Sequence, residues 1–106
     1  MSGEMEELQT WYEAQCDGDW EHTYGVHIET LDNPGWSVKI DLEETELAQR
    51  KFVPISDLDP EREWISCEVS EGQFRGFGGA PMLGALLRVF LDWAREAPSR
   101  SDATAP

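Results

Sequence analysis

The run Asp19-Trp20-Glu21-His22 sets two carboxylates beside an imidazole, the groups that general acid–base catalysis uses. No nucleophile accompanies them, because no serine or cysteine sits in a glycine-bounded elbow. In a chain this rich in acids, a carboxylate meets a histidine by chance. Cys16, His22, His27 and Cys67 have the donor types that suit zinc, but their spacing matches no paired knuckle and no His pair recurs one helical turn apart. We therefore expect no metal, no cofactor and no catalytic residue. The Gly76-Phe77-Gly78-Gly79 run before a helix has the glycine content of a phosphate cradle, yet no Lys-Ser or Lys-Thr follows and Pro81 removes a donor. It reads as a strand-to-helix turn.

Charge carries more information than any of these motifs. The chain has 22 acidic residues against 8 Lys and Arg, a formal net charge of −14, and no cation before Lys39. A field of that sign repels nucleic acid and anionic membrane and steers basic partners inward. The least compensated acids, Asp17, Asp19 and Glu21, flank Trp20, and a second tryptophan, Trp36, opens a strand directly after a turn. Exposed rings in such places can anchor a partner. Asp17, Asp19, Trp20, Glu21, His22 and Trp36 are therefore the candidate partner-binding residues, with Trp36 expected to be the more structural of the two rings.

The elements that must hold these residues are legible from periodicity. Met5, Leu8, Tyr12 and Cys16 recur at helical spacing from Glu4 to Cys16, and Gly18 suits the left-handed residue that closes a helix. Two alternating runs, Tyr24 to Thr30 and Trp36 to Leu42, form a hairpin around Asn33-Pro34-Gly35. Keeping both apolar rows on one face requires an odd loop, of three or five residues. A three-residue loop would set Glu29 opposite Lys39 and His27 opposite Asp41. The charged stretch from Glu43 to Glu63, broken by Pro54 and Pro60, leaves room for a short edge strand near Phe52 to Ile55. Trp64 to Val69 and Gln73 to Phe77 make a second hairpin across Glu71-Gly72. A final helix from about Met82 to Ala97 aligns Leu83, Leu86, Leu87, Phe90, Trp93 and Ala94 on one side.

The fold class is therefore α+β: an antiparallel sheet of four to five strands with N- and C-terminal helices packed on one face. Residues 1–97 make one domain and residues 98–106 a disordered tail. The apolar runs are shorter than a membrane span requires and the N-terminus lacks a signal-peptide pattern, so a cytoplasmic protein is expected. In that compartment Cys16 and Cys67 should be two buried thiols.

Gly18-Asp19-Trp20-Glu21-His22, followed by Asp32-Asn33-Pro34-Gly35-Trp36, resembles the immunity protein 53 family of bacterial polymorphic toxin systems. The likeness runs from about Leu8 to Ala94 and takes in Trp11-Tyr12, the Phe77-Gly78-Gly79 turn and Trp93. It implies an α+β protein made beside a toxin, which binds that toxin and spares the producing cell. It implies no catalytic residue. The acidic character adds an expectation of a basic toxin surface, as a nuclease's active face would be. The competing readings are a small metal-dependent or acid–base enzyme using Asp19, Glu21 and His22, or a general acidic adaptor for basic proteins.

Overall fold

The computed structural model describes residues 3–95. The expected helix end at Ala97 and the tail at 98–106 lie outside the described residues. In chain order the elements are α1 (Glu4–Gln15), α2 (Trp20–Thr23), β1 (Val26–Leu31), β2 (Gly35–Asp41), β3 (Ile55–Asp57), β4 (Ile65–Ser70), β5 (Gln73–Gly78) and α3 (Leu83–Arg95). The strands form one antiparallel sheet in the order β1-β2-β5-β4-β3, so the two long hairpins join through β2 and β5.

Alternation decides what each face carries. Val38 and Ile40 on β2, Phe74 on β5 and Cys67 on β4 are buried on the face beneath α3, which brings down Leu86, Leu87, Phe90, Leu91 and Trp93. Burying side chains of this size stabilises by roughly 1.5–3 kcal/mol each before entropy is counted. Gly76 keeps the middle of β5 low, because a Cβ there would stand 3.1 Å from Leu86. The opposite face, with His27, Lys39, Arg75 and Glu68 in one cross-strand row, has no helix over it among the described residues.

Helix α1 departs from its expected orientation. Leu8 and Trp11 are buried, whereas Met5 and Tyr12 are exposed and Cys16 is half-buried. The reason is its partner: α1 packs chiefly against α3. Arg88 of α3 reaches Glu7 at 2.9 Å and Glu4 at 3.4 Å, while Arg95 lies 3.5 Å from Glu7. Trp11 turns inward between Trp20 and Phe90, edge to face with both.

The first hairpin has a three-residue loop, one of the two odd lengths allowed, but its register differs by two from the three-residue pairing set out above. Leu31 pairs with Gly35, so His27 faces Lys39 and Glu29 faces Ser37. Gly35 belongs to the strand because any Cβ there would collide with the carbonyl of Gly78 on β5. That close approach puts the loop at Asp32-Asn33-Pro34. Edge strand β3 lies at Ile55–Asp57, later than expected, after Pro54. The second hairpin turns at Glu71 and Gly72, both left-handed at φ 55° and 76°, the geometry of a two-residue turn that matches strand twist.

The segment between β2 and β3 is irregular yet tied down. Leu47 is buried, Trp11 Nε1 donates to Glu46, Trp93 Nε1 donates to the carbonyl of Lys51, and Arg50 donates to the carbonyls of Trp93 and Ala94.

Candidate functional site

Asp17, Gly18, Asp19, Trp20, Glu21 and His22 form one compact turn between α1 and the sheet. Gly18 has φ 95°, as its helix-closing role requires. The Asp17 carboxylate accepts from the backbone N–H groups of Trp20 at 2.9 Å and Asp19 at 3.0 Å. Glu21 reaches back to the N–H groups of Asp17 and Gly18 at 3.0 Å. The two carboxylates thus satisfy four backbone donors of the turn, of which the Trp20 N–H is the first of α2. Both are held below the ordinary carboxylate range. For Asp17 the main cause is the Trp20 N–H; for Glu21 it is its own N–H, followed by those of Gly18 and Asp17.

Trp20 is not an exposed anchor. It is 3% exposed, stacks edge-on against Trp11 and Tyr12, and donates its indole N–H to the carbonyl of Glu43 at 2.8 Å. Trp36 is the less buried ring, reversing the expectation that it would be the more structural. It still serves the fold, because its Nε1 donates to the carbonyl of Ala80 at 2.9 Å and pins the turn into α3. Gly79 in that turn donates to the carbonyl of Trp64 at 3.0 Å, and a Cβ on it would overlap the carbonyl of Arg62. The Phe77-Gly78-Gly79 motif is thus a close-approach turn. Trp36 lies at the far end of β2, about 17 Å along the strand from Asp41, and shares no surface with the α2 turn.

The turn does gather other acids that sequence spacing did not connect. Gly25 donates to Asp41, the Trp20 bond brings the Glu43 backbone against α2, and Glu43 also lies against Gly72 beside Glu71. Asp17, Asp19, Glu21, Asp41, Glu43, Glu44 and Glu71 therefore crowd one end of the sheet. Tyr24 responds to that field: its phenol is raised by burial first, then by Glu44, Glu43 and Asp41. Few basic side chains stand nearby. Arg75 pairs with Glu71 at 3.0 Å, and His27 stands 3.9 Å from Asp41.

Catalytic readings find little support in this geometry. Glu21 spends its oxygens on backbone donors, and burial pushes the Cys67 thiol up to about 11, which leaves it a core side chain rather than a nucleophile. Cys16, expected to be buried, is half-exposed; both cysteines are free thiols. Among the described residues no group of three or more His, Cys, Asp or Glu side chains is arranged to hold a metal ion.

With that geometry in place, the sequence profile of the immunity protein 53 family matches residues 5–95. The chain belongs to the immunity protein 53 family. Comparison with curated proteins and with solved structures found no significant match. Membership carries an immunity function, and the match runs from the first turn of α1 to the end of α3. Within this immunity protein 53 chain, the two tryptophan motifs and the glycine turn all have structural duties. Among the described residues, no helix is long and apolar enough to cross a membrane.

Proposed function

We propose that this immunity protein binds a cognate toxin in the cytoplasm of the producing cell and blocks its active surface without chemistry of its own. The family match over residues 5–95 carries this reading. The acidic end of the sheet supports a basic surface on the toxin, such as a nuclease's substrate face, because opposite fields speed encounter and exclude wrong partners. Of the residues named from the sequence, Asp19 and His22 are exposed there, while Asp17 and Glu21 shape the turn that presents them. Glu43 and Glu44 join them, and Trp20 acts from beneath as support.

The test is coexpression with a catalytically inactive form of the neighbouring toxin, followed by purification and hydrogen exchange on the complex. A stoichiometric complex protected around residues 17–24 and 41–46 is expected. A toxin that stays unbound in the presence of excess protein would remove the proposal. Protection confined to the row His27, Lys39, Arg75 would retain the toxin but move the surface.

A further inference from the structure

The two edges of the sheet are built differently. Edge β3 has three residues between Pro54 and Pro60 and ends in Asp57, the short, proline-flanked, charged kind that resists further pairing. Edge β1 has six residues in unbroken register with β2, with no proline and no lysine. The carbonyl of Gly25 accepts from Asp41 N–H at 3.0 Å, so Gly25, His27, Glu29 and Leu31 point their backbone groups toward β2. By alternation, Val26, Ile28 and Thr30 direct theirs to the open edge.

The surface beside this edge carries uncharged side chains. On the helix-covered side, Met5, Gln9 and Tyr12 of α1 face Val26 across an open groove of about 330 Å³, and Met5, Tyr12 and Ile28 are 57%, 39% and 37% exposed. The chain has a net charge of −14, yet this strip is uncharged; the other exposed apolar side chains near a sheet edge, Val53, Ile55 and Leu58, lie by the blunted β3.

We propose that β1 is the seam of a twofold dimer, in which the β1 strands of two copies pair antiparallel about Ile28 and join the sheets. The strand is complementary to its own reverse. Centred on Ile28, the pairing matches Ile28 with Ile28 of the second copy and Val26 with Thr30, the residues whose backbone groups are free to bond. His27 then stands opposite Glu29 of the second copy on the uncovered face, twice by symmetry, an imidazole–carboxylate pair at cross-strand distance. The apolar strips of the two α1 helices meet over the dyad on the other face. The interface is isologous and closes on itself, leaving no further edge to propagate because β3 is blunted.

Sedimentation velocity of the full chain across a micromolar concentration series tests this. A species of twice the 12.0 kDa chain mass is expected, and it should strengthen with salt as the like net charges are screened. Ile28→Pro removes only an outward N–H and should raise the dimer dissociation constant roughly tenfold or more while the monomer stays folded. His27→Glu alone should weaken the dimer by placing like charges across the seam, and His27→Glu with Glu29→Lys should restore it. A monomer at every concentration, or a dimer indifferent to these changes, overturns the proposal. So does a monomer whose β1 amides become protected only in a toxin complex, which would give the edge to the toxin instead.

Discussion

Trp20 and Trp36 show how little residue type reveals about role. Both sit beside turns in acidic or glycine-rich sequence, where an exposed ring could anchor a partner, and neither neighbourhood discloses that Trp20 plugs the space under α1. Its indole N–H finds the carbonyl of Glu43, 23 residues on, a contact that no local spacing announces. Trp20→Ala should therefore destabilise by about 3–5 kcal/mol in urea unfolding, and Trp36→Ala by clearly less. A larger loss at Trp36 would contradict the burial order. Arg88 makes a second prediction. Its guanidinium holds Glu7 below the ordinary 4.5, chiefly by a direct hydrogen bond. A depressed carboxylate contributes stability that is complete above its unfolded value and is lost as pH falls through the lowered folded value. The stability gap between wild type and Arg88→Ala should thus be full at pH 7 and narrow below about pH 4.5. A gap that widens on acidification would show that Glu7 is not the partner that matters.

At the scale of elements, strong periodicity was legible and irregular structure was not. The hairpins, α3 and the fold class follow from period-two and period-3.6 patterns, whose apolar rows have only one way to reach a common core. The two-residue shift in the first hairpin came from Gly35, whose close approach to β5 is a tertiary fact. The inward turn of Trp11 came likewise from α3, more than 70 residues away. Of the candidate site, adjacency in the sequence grouped Asp17 to His22, wrongly joined Trp36 to them, and left out Glu43 and Glu44, whose approach depends on a loop that the sequence leaves without a pattern. Glycines offer a sharp check on this account. Gly79→Ala should cost about 1–3 kcal/mol or more, since its Cβ would meet the rigid carbonyl of Arg62. Gly84→Ala, in α3 with nothing within 4 Å, should instead stabilise by about 0.4–1 kcal/mol. Thermal melts of the two variants decide it; equal shifts would refute the close-approach reading.

At the scale of the whole molecule, net charge dominates. A chain with 22 acids and 8 Lys and Arg repels itself when compact, so moderate salt should raise its melting temperature even as it screens the Arg88 pairs. Toxin association should respond in the opposite way, slowing as salt shortens the screening length to about 8 Å near physiological strength. Asp19→Asn with Glu44→Gln should slow association further at low salt and leave dissociation nearly unchanged. Kinetics indifferent to both changes and to salt would show that steering plays no part. The position of α3 has a consequence for how the protein comes into being. Each strand emerges from the ribosome before the helix that covers it, and the Arg88 contacts to Glu4 and Glu7 join the two ends of the described chain. Until α3 has been synthesised, Val38, Ile40 and Phe74 lack its cover, so the nascent sheet must wait, sticky and unprotected, for the last described element. A chain released after residue 82 should therefore aggregate or bind chaperones.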